Sequence, residues 1–152
     1  MIKRCFSFLI AVLLLATSVV FSTKASESVD HVTFFEDGSY IVTTITEIPS
    51  RAAGTKTGSK TGCVYTKDGE LEYSFTITGT FYYNGSTSQC TYTDGTTSIV
   101  KTNQFTVKSE SATQNGTTAN YTVTIGRKTL GIVTSKETHS ISLTCDKDGN
   151  LS

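Results

Sequence analysis

Beyond residue 30, apolar and polar side chains alternate with a period of two along most of the chain. Leu71, Tyr73, Phe75, Ile77, Phe81 and Tyr83 fall on one parity, and Glu72, Ser74, Thr76, Thr78 and Thr80 on the other. That spacing predicts a strand over Leu71–Tyr83 with one buried and one wet face. Gly79 interrupts the apolar side and marks a bulge or a bend, since thirteen residues are long for one strand. Similar alternation predicts strands over Tyr40–Ile48, Ile99–Val107, Ala119–Ile125 and Ile141–Cys145. Weaker signals cover Val32–Phe35, Cys63–Thr66, Gln89–Thr93 and Leu130–Thr134.

Turn dipeptides punctuate these runs. Asp37-Gly38, Asp68-Gly69, Asn84-Gly85, Asp94-Gly95 and Asn115-Gly116 all tolerate the positive φ of tight hairpins. The single proline, Pro49, lies at a strand end. No amphipathic helix is predicted after the first 25 residues. The expected fold is all-β, eight or nine short strands in a two-sheet antiparallel sandwich, immunoglobulin-like or related, with a barrel as the alternative. One segment breaks the texture: Arg51 to Gly62 is small, basic and free of acids. It reads as a mobile loop or a lysine-guarded edge strand, or as a contact site for an acidic partner through Arg51, Lys56 and Lys60.

The N-terminus differs in kind. Lys3 and Arg4 precede an apolar run from Phe6 to Phe21, and Thr23 and Ala25 fit the −3 and −1 positions of a signal peptidase site. The apolar run is shorter than the roughly twenty residues of a membrane span, and Lys24 blocks its extension. Residues 1–25 are therefore expected to be a cleaved signal peptide, with 26–152 a single secreted domain released outside a bacterium-like cell. Cys5 precedes the apolar run, so it is not a lipoprotein cysteine.

Removing the leader changes the charge balance. It carries three of the 13 basic residues and no acid, leaving ten against 13 and a net charge of −3. The charges are scattered singly. Nucleic acid and membrane are thus excluded as expected partners, because both require clustered cations. Export also places Cys63, Cys90 and Cys145 in an oxidising compartment. Three single pairings are possible, and Cys90 with Cys145 is favoured because both sit in strand-like runs. Such a bond would close a 55-residue separation, worth about 3–4 kcal/mol in the chain-entropy view. Cys63 would stay unpaired.

Candidate chemistry is sparse. His31 and His139 are far apart and lack metal-ligand spacing. No hydroxyl or acid is singled out to complete a triad with either histidine. Asp146-Lys147-Asp148-Gly149-Asn150 begins like a calcium loop but lacks its closing glutamate, so it reads as a turn. No catalytic residue, metal site or cofactor is expected. Exposed tyrosines are the remaining binding candidates, because their rings stack on sugars: Tyr82 first, then Tyr65 and Tyr92. Asn84-Gly85-Ser86, Asn115-Gly116-Thr117 and Asn120-Tyr121-Thr122 match a glycosylation acceptor, but two of the three double as turns.

The run Arg51 to Lys60 and the ending Ser142 to Ser152 resemble a family of short secreted proteins from anaerobic Gram-positive bacteria, as do Thr78-Gly79-Thr80-Phe81 and Gly126 to Gly131. The family is a domain of unknown function, so the resemblance implies compartment and source but no activity. It also implies cysteines at the positions of Cys90 and Cys145. The expected function is a non-enzymatic extracellular module that binds a protein or a glycan. The alternatives are a hydrolase of cell-surface polymers and a small antagonistic or signalling protein.

Overall fold

The computed structural model describes residues 26–49 and 53–152. The expected signal peptide and Arg51 lie outside the described residues. Eight strands follow in order: β1 (Ser26–Phe34), β2 (Tyr40–Ile48), β3 (Thr55–Tyr65), β4 (Leu71–Tyr83), β5 (Ser88–Ile99), β6 (Phe105–Asn115), β7 (Thr118–Thr129) and β8 (Ile132–Thr144). Strands β1 to β5 form one antiparallel sheet in sequence order, and β6 to β8 form a second. The two sheets face each other as a sandwich. Sequential order makes each sheet a plain meander, without the crossover connections of immunoglobulin domains.

Alternation explains the core. The inward parity of β4 contributes Tyr73, Phe75, Ile77 and Phe81, and that of β7 contributes Ala119, Tyr121, Val123 and Ile125. Ile141 and Leu143 of β8 close the same cluster. Outward positions carry threonine and serine, which pair across strands: Thr57 with Thr80 at 3.1 Å, Thr61 with Thr76 at 2.9 Å, Thr124 with Thr138 at 3.0 Å. β-Branched hydroxyl residues fit a pleated surface that meets water.

Four sequence expectations are corrected. Within the Arg51–Gly62 segment, residues 55–62 are neither a mobile loop nor an edge, because they belong to β3, hydrogen-bonded between β2 and β4. Its glycines make room inside: a Cβ on Gly62 would lie 2.6 Å from the Phe75 ring, and one on Gly58 2.3 Å from Leu151. Asp94-Gly95 is no turn either. Gly95 sits mid-strand opposite Ile77, with the Tyr121 ring where its side chain would be.

Ile99–Val107 is broken rather than continuous. Residues 100–104 leave the first sheet and enter the second, and the amides of Val100 and Lys101 both donate to the Glu72 carbonyl. Finally, the Cys90–Cys145 bond is not formed: both are buried free thiols, and Cys63 is a half-buried one. Cys90 Sγ is directed at the Tyr92 carbonyl at 3.2 Å and Cys145 Sγ at the Asp146 carbonyl at 3.5 Å. Burial pushes both thiols up in pKa.

The remaining turn dipeptides behave as expected. Gly38, Gly69, Gly85 and Gly116 have positive φ at four hairpins. The β7–β8 hairpin turns instead on Leu130 (φ +52°) and Gly131 (φ +81°). An L-residue is disfavoured there, and the Leu130 side chain is 98% exposed.

Candidate functional site

The proposed ligand-contact residues separate onto two faces. Register places Tyr82 on the outer face of β4, with Thr55 on one side and Gln89 on the other. Tyr92 pairs with Thr80 on the same face. Tyr82 is 49% exposed and Tyr92 55%. At the far end of that face, Tyr65 stacks on Tyr40 with ring centroids 5.2 Å apart and 16° between planes, and Phe34 lies 5.6 Å from Tyr40. The structure therefore brings Tyr82, Tyr92 and Tyr65 to one face, joined by rows of threonine and serine. From Tyr65 to Thr55, which pairs with Tyr82, is ten steps along β3, or about 33 Å at 3.3 Å per residue.

Lys56 and Lys60 point the other way. They occupy the inner parity of β3 and pair with Glu47 at 2.6 Å and Asp30 at 2.9 Å. Each ammonium group is engaged in an ion pair on the inner face.

Sequence reasoning missed a second feature. At the end of the sandwich bearing the β1–β2, β3–β4 and β7–β8 turns, a cavity of about 210 Å³ opens between the sheets. Phe35, Val64, Phe105 and Ile125 supply apolar wall, and Asp37, Glu72, Tyr73, Arg127, Ser135 and Glu137 supply polar groups. Glu72 gets there through a β-bulge. Val64 and Tyr65 of β3 face Tyr73 and Leu71, so Glu72 is the extra residue. Bulges re-aim side chains in this way. Glu72 is only 6% exposed.

Beside the cavity, Tyr73 Oη lies 2.9 Å from His139 Nε2, and His139 Nε2 lies 3.6 Å from Glu137 Oε1. His139 stacks on Phe75 with centroids 5.0 Å apart. Burial lowers the His139 pKa and the nearby Glu137 carboxylate partly offsets this, so the ring is neutral at neutral pH. The Tyr73 hydroxyl is pushed far up by burial, then by the Glu137 and Glu72 carboxylates. It stays protonated at physiological pH. Ser140, next to His139 in sequence, points outward and pairs with Thr122 at 3.1 Å. His31 lies on exposed β1, away from this group. Arg127 sits 5.5 Å above the Phe105 ring and helps lower the Asp37 pKa, which hydrogen bonds from Ser39 lower more.

One sequence signal did exist. Ser135, Glu137 and His139 share the parity of Ile141 and Leu143, so the inward side of β8 turns polar toward one end. The bulge at Glu72 had no such signature. Among the described residues no three histidine, cysteine or acidic side chains are grouped to hold a metal ion. The Asp146 carboxylate is occupied by its own turn, accepting from the Asp148 and Asn150 amides and from Asn150 Nδ2. No family model, curated protein or solved structure matches the chain.

Proposed function

We propose that this protein is an extracellular, non-enzymatic module that binds a glycan along the outer face of its five-stranded sheet. One observation carries the reading: exposed Tyr82 and Tyr92 share a threonine-lined face with the Tyr40–Tyr65 stack. The outer face of the three-stranded sheet is an internal control. It has similar hydroxyl ladders, such as Thr122 with Ser140, but no aromatic ring. Rings give stacking area at low entropic cost, and hydroxyl rows donate and accept hydrogen bonds toward sugar. The length of the face favours a polymeric glycan over a single sugar. The leader-like N-terminus supports a ligand outside the cell.

Retention of the purified protein on insoluble bacterial-wall and mucin glycans tests this. The paired change Tyr82→Ala and Tyr92→Ala should weaken retention at least tenfold and leave the thermal midpoint within a degree or two. Equal retention by the variant, or retention on none of the glycans, overturns the reading.

A hydrolase is the second reading, favoured by His139 lying beside Glu137 next to the cavity. Against it, the hydroxyl on His139 belongs to Tyr73, whose side chain is buried in the core and offers little access to a substrate. Glycan fragments released by the wild type and not by Glu137→Gln would replace binding with catalysis.

A further inference from the structure

We propose that the free edge of β8 is a docking site for one extended segment of a partner protein, added antiparallel as a fourth strand of the smaller sheet. That edge already takes such a strand in this structure. After the turn at residues 146–150 the chain comes back alongside β8. There Leu151 bridges Cys145, and the Thr144 and Ser152 amides each donate to the other's carbonyl, at 2.9 and 3.0 Å. This pairing fixes which groups point outward. Residues two apart share an edge in an antiparallel ladder, so Ser142, Ser140, Thr138 and Lys136 aim their N–H and C=O groups the same way as Thr144. Among the described residues no backbone group bonds them there.

The other edges are guarded and this one is not. Extra residues interrupt the ladders of the remaining edge strands, at Asp30 in β1, Thr91 in β5 and Lys108 in β6. Bulges of this kind discourage edge-to-edge pairing. From Ser135 to Thr144 the ladder of β8 runs without a shift, and the stretch from Thr138 to Thr144 carries no lysine, arginine or acid.

The layer beneath decides what can dock. β8 packs over β3 and β4, so β1 and β2 project beyond it by two strand spacings, or about 10 Å. A second sandwich meeting β8 edge to edge would keep like sheets in one layer, because the two-fold of such a pair stands perpendicular to them. Its own projecting strands would collide with these. A single strand has room. The side chains it turns inward would lie beside Leu143 and Ile141, over a β2 face that offers Ile45 and Ile41. Those positions favour short aliphatic residues, and Leu151 already enters in this way over Gly58. Main-chain bonds supply the affinity of an added strand, and its alternate side chains the selectivity. The site shares no residue with the tyrosine face, so its failure and that of glycan binding are separable.

The probe is the peptide acetyl-Lys-Val-Thr-Val-Thr-Val-Lys-amide, titrated into the isotope-labelled protein and read by amide hydrogen exchange. Slowed exchange is expected at Ser142, Ser140 and Thr138, with little change at Leu143 and Ile141, whose amides face β7. N-methylation of both threonines should weaken binding at least tenfold, because those amides would face β8. N-methylation of the central valine should cost little. Ser140→Pro removes a donor at the open edge and no bond to β7, so it should also lower binding tenfold or more, while Tyr82→Ala should leave it unchanged. Should Ser140→Pro fail to fold, the two methylated peptides on the unaltered protein decide. Equal binding of those peptides, or no slowed exchange at about 1 mM of the parent peptide, overturns the site. Slowed exchange that grows with protein concentration and needs no peptide overturns the partner in favour of a second copy.

Discussion

Strands β4 and β1 belong to one sheet and differ in what lies above their inner faces. Over β4 the three-stranded sheet closes down, and Ile77 and Phe81 are fully buried against Val123 and Leu143. Over β1 nothing closes, and all nine residues are exposed. The polarity of β1 is reversed accordingly. Ser28, His31 and Thr33 share the inner parity with Ile45, Thr43 and Ile41 of β2, whereas Val29, Val32 and Phe34 look outward. Alternation thus specifies a strand and two faces, but not which face finds a cover. Five strands over three leave the β1 side bare, and ion pairs take the place of packing there: Lys60 with Asp30 and Lys56 with Glu47.

Breaking the covered side should produce the largest effect. Gly95→Val would put a Cβ 2.0 Å from the Tyr121 ring, and neither backbone can retreat within two packed sheets. Loss of cooperative folding by circular dichroism is expected, and a native-like melting curve would show that the two sheets can part to admit the side chain. A graded version follows. Leu143→Ala, at a fully buried site, should cost about 2–5 kcal/mol in denaturant unfolding, whereas Phe34→Ala on the bare strand should cost within about 0.5 kcal/mol. A loss at Phe34 as large as at Leu143 would mean that the bare side is covered in solution, and sedimentation would then reveal the second molecule.

The smallest effect concerns protons. The folded His139 pKa lies below its ordinary 6.5 because of burial. Above that value both folded and unfolded histidine are neutral, and the group contributes nothing to pH dependence. As pH falls below it, the unfolded chain takes up a proton that the folded chain resists, so stability declines. Urea midpoints should therefore drop between pH 7 and 5, and by less in His139→Gln. An unchanged drop in the variant would assign the acid sensitivity to other groups.

The fold was legible where alternation and turn chemistry agree. Both bounds of β4 follow from parity and from the flanking Asp68-Gly69 and Asn84-Gly85 pairs, and those of β2 from parity, Asp37-Gly38 and Pro49. Legibility failed at glycine. In β3 and β5, Gly58, Gly62 and Gly95 look like loop or turn residues, but each yields space to a side chain from elsewhere: Leu151, Phe75 and Tyr121. A local reading cannot see a neighbour that arrives from across the core. The tyrosine face was legible because outward parity is local, so Tyr82, Tyr65 and Tyr92 were named from sequence. The cavity was not, because a single extra residue in β4 reverses where Glu72 points.

The meander has a kinetic consequence. Every strand pairs with a strand next to it in sequence, so no pairing waits for a distant stretch of chain to diffuse into place. Sheets zipped from successive hairpins carry lower contact order than interleaved ones and should assemble fast for an all-β chain. What remains for the slow step is the clasping of two preformed leaves, joined through residues 100–104, when Tyr121 settles over Gly95.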